Sequence, residues 1–386
     1  MAQDKTSLSL RNKQSITYRA ATSLTYSQVG DNYGTKDPIK KLAQTAAAQT
    51  AKNLAAINYK EISDSRGESA FVWQVDEKTF MASVIEGLGT KNLVADEMRT
   101  ITKKTYYDII AHDTVATIIN DLITSGAKPF VLHAYWAIED NSWLQDEERM
   151  KDLIQGWKNA CNESGVAWGG GETPTLKGII KEGTVDLAGS AIGTIKNGRL
   201  IKAGNLQKGD RIIFLKSNGI NANGVSLARA VAKELPDGYA TKLPSGQLYG
   251  EALLSKTNIY VKLIQSLLDQ WVNIHYISNI TGHGLRKVMR APQDFVYVIE
   301  KVYPAPELFA FIQKHSNLSD EEMYGTYNMG QDYAIFLPTE DVEKAQEIIK
   351  ENGFESLDAG YLEEGKRQVV IKSKNITFGG ETLDLR

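Results

Sequence analysis

The stretch Ile85-Glu86-Gly87-Leu88-Gly89-Thr90-Lys91 ends one predicted element of the chain and begins the next. Thr79 to Ile85 is rich in residue types that favour strands, and the two glycines allow a tight turn. The same succession of strand, turn and helix recurs along the 386 residues. Further strands are predicted at Phe71–Gln74, Phe130–Ile138, Val185–Ile195, Arg211–Leu215, Ile274–Ile280, Phe295–Ile299 and Tyr333–Leu337. Helices are predicted from Asp37-Pro38 to Leu54, at Asp113–Ser125, at Asp146–Asn162, from about Val225, and at Glu340–Asn352. Strands that alternate with amphipathic helices indicate an α/β or α+β fold.

The turn between this strand and the following helix also carries groups that suit a phosphorylated ligand. Gly87 and Gly89 bring backbone N–H groups close to an anion. Thr90 adds a hydroxyl, and Lys91 adds a positive charge that suits phosphate. Glu86 offers a carboxylate for Mg²⁺. The motif alone does not distinguish a phosphate site from an ordinary strand-to-helix turn with a solvated lysine.

The length of the chain predicts more than one domain, because it exceeds the usual size of a single hydrophobic core. Residues 1–70 begin with a polar arm and continue as a helix and a loop. The turn signals Asn197-Gly198 and Lys208-Gly209-Asp210 place a boundary near residue 200. We therefore expect one domain over residues 71–200 and another over residues 201–386.

Composition excludes several classes of protein. Cys161 is the only cysteine, which rules out a disulfide framework and a cysteine-based zinc site and suits a reducing, cytoplasmic compartment. The first twenty residues contain no apolar core, so no secretory signal is expected. No apolar run approaches the roughly 18 residues of a membrane span. The net charge of −3 argues against broad nucleic-acid binding. An enzyme or a small-ligand binder is the remaining expectation.

The predicted helix after His112 has a polar face opposite its apolar stripe. Asp113, Thr117, Asn120 and Thr124 share that face at helical spacing, and Asp121 lies beside it. A stripe of carboxylate, hydroxyl and amide oxygens can bind Mg²⁺. The alternative is an ordinary solvated face with an acid near the start of the helix.

Three further glycine- and asparagine-rich loops follow predicted strands or helices. Gly169-Gly170-Gly171 suits close approach of the backbone to a ligand beside Glu172, although a flexible turn is the alternative. The loop Ser217–Gly224 precedes a helix, where free N–H groups favour an anion, or it is a plain turn with Asn in left-handed conformations. Asn279–Gly284 contains His283, which is a candidate for proton transfer, although a lone histidine is more often structural.

Taken in order, these motifs resemble those of the aminoimidazole ribonucleotide synthetase superfamily. The resemblance covers roughly residues 80 to 338 and rests on many weak motifs in one order. The matching segments are Glu86–Lys91, His112–Ala127, Gly170–Thr173, Asp186–Gly189, Ser217–Gly224, Gly250–Leu254, Ile259–Lys262, Ile280–Gly282 and Glu322–Gly330. The resemblance implies two α/β domains, with the N-terminal sheets of two subunits paired in a homodimer and ATP near the dimer interface. Residues 71–200 would then form the ATP-binding and dimerisation domain, and residues 201–386 the synthetase-like domain.

The resemblance also implies a reaction. ATP would phosphorylate the formyl-amide oxygen of a phosphoribosyl substrate, formylglycinamidine ribonucleotide, and an amidine nitrogen would then close an imidazole ring. Such chemistry needs positioning and neutralisation of phosphate charge more than a covalent nucleophile. The expected cofactors are ATP and Mg²⁺, and neither a nucleic acid nor a membrane is expected as a partner.

Each motif residue then has an expected role. The catalytic candidates are Lys91, His112 and His283. The ATP-binding candidates are Gly87, Gly89, Thr90, Lys91, Asn120, Gly170, Gly171 and Thr173. The substrate-binding candidates are Asn218, Asn223, Gly224 and Gly282. The metal-binding candidates are Glu86, Asp113, Asp121 and Glu172.

Five positions depart from the family pattern and leave the substrate open. Glu86 stands where the family usually has Asp, and His283 stands where it has the third glycine of Thr-Gly-Gly-Gly. Asn221 replaces a loop histidine, while His133 and Pro174 also differ. The alternatives are therefore another ATP-dependent enzyme of the superfamily that phosphorylates a different amide, acid or phosphate ester, and a non-catalytic dimeric binding protein.

Overall fold

The computed structural model describes residues 33–383. The predicted arm falls mostly on residues 1–32, which lie outside the described part of the chain. Within residues 33–383 two mixed sheets are present, one formed by residues 60–196 and the other by residues 211–379. The boundary near residue 200 stays a prediction. Every helix in the described range is too short or too polar to span a membrane.

The first sheet has six strands in the order β1-β2-β3-β6-β4-β5. Only the β4–β5 pair at one edge is parallel, and the other neighbours are antiparallel. The strands are β1 (Lys60–Glu61), β2 (Phe71–Gln74), β3 (Thr79–Gly87), β4 (Lys128–Ile138), β5 (Ala167–Glu172) and β6 (Val185–Lys196). The predictions for β2, β3, β4 and β6 are confirmed to within two residues.

The helices of this half are α1 (Tyr33–Ala48), α2 (Lys52–Ala55), α3 (Asn92–Thr102), α4 (Tyr107–Leu122) and α5 (Glu147–Ser164). α5 begins and ends where expected, because the Asp146 side chain accepts a hydrogen bond from the Arg149 N–H and Gly165 adopts the left-handed conformation that stops the helix. α4 lies against β3 and β6 on one side and against α5 on another.

The second sheet has seven strands in the order β13-β12-β9-β11-β7-β10-β8, and only β9 and β12 are parallel neighbours. Its strands are β7 (Arg211–Lys216), β8 (Tyr276–Asn279), β9 (Phe295–Ile299), β10 (Gln331–Leu337), β11 (Ser356–Glu364), β12 (Gln368–Ile371) and β13 (Ile376–Gly379). Its helices are α6 (Val225–Glu234), α7 (Tyr249–Leu253), α8 (Val261–Asp269), α9 (Glu307–Ser316), α10 (Asp320–Thr326) and α11 (Val342–Glu351). The expected strands β7 to β10 and the helices at α6 and α11 are present.

Two helix predictions were wrong at their ends. α1 begins at Tyr33, so Pro38, which was expected at the first helical position, lies inside the helix. It stops at Ala48, well before Leu54, where the Thr50 hydroxyl donates to the Ala47 carbonyl at 2.6 Å and a turn follows. α4 begins earlier than expected, at Tyr107, so His112 and Asp113 lie in its interior and not in its first turn.

The surface of the first sheet that faces away from α4 is largely apolar and only partly covered. Along β3 the buried residues Ala82 and Val84 alternate with residues of the other face, where Ile85 is 76% exposed. We call this second face the open sheet face, and its apolar members are Phe71, Trp73, Met81, Ile85, Val131, Tyr135 and Ile192. A contiguous apolar face of this kind is typical of an interaction surface.

Candidate functional site

A cavity of about 350 Å³ lies where the two halves of the molecule meet. The first half contributes the ends of β3 and α4 and the loop before β2. The second half contributes the loop before α6 and the segment that follows β8, and α1 covers one side. The lining residues are Lys40, Gln44, Gly67, Glu68, Ser69, Glu86, Gly87, Thr117, Asp121, Asn223, Thr281, Gly282, His283, Lys287 and Arg290.

A short 3₁₀ helix, Gly284–Met289, brings basic residues to the cavity immediately after β8. Its first residue, Gly284, has φ +54°, and a side chain there would meet the Tyr324 carbonyl oxygen at 2.2 Å. Glycine is therefore required for the turn that directs Lys287 toward the cavity.

Two carboxyl groups stand together on the cavity wall. Glu86 lies near the end of β3, and Asp121 lies in the last turn of α4. Burial, followed by the charge of Asp121, raises the pKa of Glu86 to about 7. Asn279 of β8 donates a hydrogen bond to Asp121 at 2.7 Å. The pair therefore retains a proton near neutral pH unless a cation compensates its charge.

Basic groups face this acidic pair. Lys287 is only 9% exposed, and burial together with the charge of Arg290 lowers its pKa to about 7. Arg290 lies 3.3 Å from a Glu68 oxygen and donates to the Gly67 carbonyl at 2.8 Å and to the Ser69 hydroxyl at 3.1 Å. The cavity thus combines opposite charges on largely buried side chains, where each charge acts more strongly than at the surface.

His283 lines the same cavity as a neutral imidazole. Burial is the main cause that lowers its pKa, to about 2, and the positive charges of Lys287 and Arg286 add to the effect. Its Nε2 atom lies 3.8 Å from a carboxylate oxygen of Asp37 in α1. This predicted proton-transfer residue therefore lies in the cavity in its neutral form. Its burial disfavours the protonated form.

Four other predicted site residues lie in a second, buried contact between the halves. The Lys91 ammonium pairs with the Asp113 carboxylate, both side chains are fully buried, and Lys91 also donates to the Ser255 carbonyl at 2.9 Å. His112 Nε2 and the Thr257 carbonyl oxygen are 2.8 Å apart. We call the contact of these residues with the segment Ser255–Tyr260 the inter-half seam.

Asn120 completes the inter-half seam. Its amide donates to the Asn258 carbonyl at 2.7 Å, and its oxygen accepts from the Tyr260 N–H at 3.1 Å. The Thr257 N–H donates to Asp113 at 2.9 Å. The polar face predicted on α4 is real, but it is not solvated, because the second half of the chain covers it. The phosphate, metal and catalytic roles expected for these residues stay predictions, and their contacts here are structural.

The four predicted metal ligands do not form one group. Within residues 33–383, no three Asp, Glu, His or Cys side chains lie close enough to hold a metal ion by themselves. Glu86 and Asp121 share the cavity, Asp113 is engaged by Lys91, and Glu172 is exposed on the edge strand β5. Two carboxylates suffice for Mg²⁺ when phosphate oxygens complete its coordination.

The glycine run before Glu172 has a packing reason. A side chain at Gly171 would meet the Ala134 carbonyl oxygen at 2.1 Å, and one at Gly169 would meet the His133 ring at 2.8 Å. β5 therefore needs glycine to lie against β4. Gly170, with φ +96°, and Glu172 are exposed, and their predicted ligand roles, like that of Thr173, stay predictions.

The loops on either side of the cavity hold the remaining predicted residues. Asn223 and Gly282 line it directly. Gly224 has φ +78°, and a side chain there would strike the Tyr327 ring at 2.3 Å. Asn218 donates to the Asn258 side chain at 2.6 Å.

The Thr90 and Ser226 hydroxyls, 3.3 Å apart, join the first glycine turn to α6. In that turn Gly87 lines the cavity and Gly89 takes a φ of +76°.

Sequence reasoning missed Lys40, Glu68, Lys287 and Arg290 as cavity residues. The available signal was the basic pair Lys287 and Arg290, spaced by three residues just after the Thr281-Gly282 turn. That spacing puts both side chains on one side of a helical turn. Lys40 and Glu68 gave no comparable signal, since only the fold brings them to the cavity.

The fold and the sequence together define the class of protein. Residues 67–195 match the AIR synthase related protein N-terminal domain, and residues 207–373 match the C-terminal domain of the same family. The chain belongs to this family, and the predicted two-domain fold is confirmed.

Within the family, the chain is similar to enzymes named phosphoribosylformylglycinamidine cyclo-ligase. The Methanobrevibacter smithii enzyme is 32% identical over 80% of this chain and 88% of its own length. The Clostridium novyi enzyme is 31% identical over 84% of this chain and 95% of its own length.

Solved structures share the fold at lower identity. Hydrogenase maturation protein HypE in complex with ATP has a TM-score of 0.51 and 18% identity over 68% of this chain and 75% of that chain. Thermotoga maritima PurL complexed with ADP has a TM-score of 0.53 and 14% identity over 82% of this chain and 46% of that chain. These likenesses concern the fold alone.

Proposed function

We propose that this chain is a phosphoribosylformylglycinamidine cyclo-ligase, which uses ATP to close the imidazole ring of aminoimidazole ribonucleotide in purine biosynthesis. The observation that carries the proposal is the identity of 31–32% to cyclo-ligases along most of both chains. We also propose a cytoplasmic location, because an enzyme of purine synthesis whose cysteine, Cys161, is free and buried suits a reducing compartment.

The inter-half cavity is the proposed place of reaction. Its volume of about 350 Å³ lies in the range of small-molecule sites. It presents basic side chains that suit phosphate and carboxyl groups that suit a metal ion.

In the proposed reaction the substrate's formyl-amide oxygen attacks the γ-phosphorus of ATP and ADP leaves. The amidine nitrogen then attacks the activated carbon, and the C–O bond breaks to release phosphate. Both steps depend on alignment and charge neutralisation.

Glu86 and Asp121 are the residues that fit Mg²⁺. They are two neighbouring oxygen donors, and burial, followed by the charge of Asp121, raises the pKa of Glu86, so a bound cation would favour the ionised form of the pair. When bound, Mg²⁺ would neutralise charge on the phosphate oxygens. ATP binding is further supported by the nucleotide complexes of the related folds. The exposed Gly170–Thr173 segment remains the proposed second contact for ATP.

A coupled assay tests the proposal. With formylglycinamidine ribonucleotide, ATP and Mg²⁺, we expect ADP and aminoimidazole ribonucleotide in equal amounts, and none without Mg²⁺. Asp121→Asn is expected to reduce the rate by about a hundredfold or more, since it weakens a group in direct reach of the reacting phosphates. Glu340→Gln, at an exposed carboxylate, is the control with an unchanged rate. Absence of the aminoimidazole product under these conditions would refute the cyclo-ligase proposal.

His283 favours a second candidate, an ATP-dependent enzyme of the superfamily with a different acceptor. The buried imidazole of His283 forms part of the cavity wall at a position where the family pattern has glycine. The space for a substrate and the polarity beside it therefore differ from those that a glycine would give. Release of ADP with another amide, acid or phosphate ester, but not with formylglycinamidine ribonucleotide, would support this candidate.

We also propose a homodimer that pairs two open sheet faces. Ile85 is 76% exposed among apolar neighbours, and it precedes the cavity residue Glu86 in β3. Pairing two such faces would remove apolar area from water, the dominant favourable contribution to association.

Ile85→Asp is expected to weaken the dimer by at least tenfold, because a carboxylate would be buried without a partner at the centre of the pairing. Sedimentation velocity over a concentration series measures the change. Trp271→Asp is a matched control, since Trp271 has the same exposure of 76% but lies in the second half of the chain. Equal dimer dissociation constants for wild type and Ile85→Asp would exclude this face.

A further inference from the structure

Lys287 places a positive charge on the cavity wall without a direct partner among residues 33–383. The side chain is 9% exposed and lines the cavity wall. Within residues 33–383 its Nζ atom makes no hydrogen bond and no ion pair, and only its backbone carbonyl is engaged, by the Ser278 hydroxyl at 2.6 Å. Carboxylates of the cavity wall attract this charge without contacting it, so a ligand of opposite charge that reaches the Nζ atom would satisfy it directly.

The neighbouring charges are already engaged with one another. Arg290 is held by Glu68 and by the Gly67 carbonyl. Asp121 accepts a hydrogen bond from Asn279 and is coupled to Glu86. Each of these groups has a protein partner that fixes its position. Lys287 differs from them, since its charge faces cavity space that a ligand can fill.

The other cavity groups suit a phosphate more than a carboxylate. The Thr117 and Thr281 hydroxyls and the Gln44 amide lie around the same space and can donate hydrogen bonds to several oxygens. The Arg290 guanidinium adds positive potential without being free to rotate. A tetrahedral phosphate accepts hydrogen bonds from many directions, and lysine binds it as a point charge.

We propose that Lys287 binds the phosphoryl group of a ligand in this cavity, either the phosphate monoester of a phosphoribosyl substrate or the terminal phosphate of ATP. This inference rests on the proposed function for the identity of those two ligands. It assigns the ligand contact to the 3₁₀ helix Gly284–Met289, which had no predicted role, and it makes Lys287 a binding residue in addition to the glycine turns.

Binding measurements on the full chain test this assignment without turnover. The probes are ribose 5-phosphate and a non-hydrolysable ATP analogue with Mg²⁺, each titrated calorimetrically into wild type, Lys287→Met and Lys287→Arg. We expect Lys287→Met to weaken one of the two probes at least tenfold and Lys287→Arg to retain most of the affinity. Loss for ribose 5-phosphate identifies the substrate phosphate, and loss for the analogue identifies the nucleotide phosphate. Unchanged affinity for both probes would overturn the proposal.

Two controls keep the result interpretable. Lys301→Met removes an exposed lysine of the same half and is expected to leave both affinities unchanged. Lys287→Met removes a buried charge, so the ligand-free variant should melt at or above the wild-type temperature while losing the rise in melting temperature that inorganic phosphate gives the wild type. A wild-type-sized rise in Lys287→Met would contradict the assignment. If ring closure is absent but phosphate binding depends on Lys287, the proposed function fails and this inference stands.

Discussion

Lys91→Ala is expected to lower the free energy of unfolding by about 3–5 kcal/mol, because it leaves the carboxylate of Asp113 buried without its counter-ion. Both side chains of this pair are completely buried. The substitution also removes the hydrogen bond to the Ser255 carbonyl, which joins the two halves of the chain. Urea denaturation followed by circular dichroism at pH 7 measures the loss.

Two further variants separate this pair from lysine substitutions in general. Lys216→Ala breaks an exposed pair with Glu355 and is expected to cost less than about 1 kcal/mol. The double variant Lys91→Met with Asp113→Asn removes both buried charges but keeps an acceptor for the Thr257 N–H, so it should recover most of the lost stability. A Lys91→Ala protein as stable as wild type would show that the buried pair does not form and that Lys91 is available for its predicted phosphate role.

Glu86→Gln is expected to flatten the dependence of stability on pH in the absence of Mg²⁺. The pKa of Glu86 is about 7 in the folded protein and 4.5 in the unfolded reference, so the folded state retains a proton that the unfolded state releases. Wild-type stability therefore falls as the pH rises from about 4.5 to 7, by on the order of 3 kcal/mol from this group. Glutamine imitates the protonated carboxyl and does not lose this contribution.

Chemical denaturation at pH 5 and pH 8 in EDTA tests this expectation. The variant should be more stable than wild type at pH 8 and similar to it at pH 5. Glu340→Gln serves as the control, because Glu340 is exposed. Parallel pH profiles for wild type and Glu86→Gln would show that Glu86 is not the titrating group.

The sequence predicted those parts of the fold whose signal is local. β3, β4 and β6 are long strands with a clear residue pattern, and α5 carries its own cap at Asp146 and its own stop at Gly165. The polar face of α4 was also recognised. Its partner was not, because the segment Ser255–Tyr260 lies about 140 residues further along the chain and no local pattern reports that contact.

The site was predicted in part for the same reason. Glu86 and Asp121 were expected among four metal ligands from different motifs, and both line the cavity. Lys91 has the residue type of a phosphate ligand, yet tertiary packing commits it to Asp113. Lys287 was missed although its spacing to Arg290 was visible in the sequence, because the burial of its side chain is apparent only in the fold. Residue type alone does not distinguish a buried structural cation from a buried binding cation.

The inter-half seam has a consequence for any attempt to divide the gene. A fragment that ends between β6 and β7 would carry α4 with Asp113 and Asn120 but without the segment that satisfies them. Each fragment alone would expose polar groups next to a large apolar surface and would aggregate. Co-expressed as two polypeptides, the fragments have complementary surfaces and should reassemble, which makes the interval between residues 196 and 211 suited to a split-protein reporter.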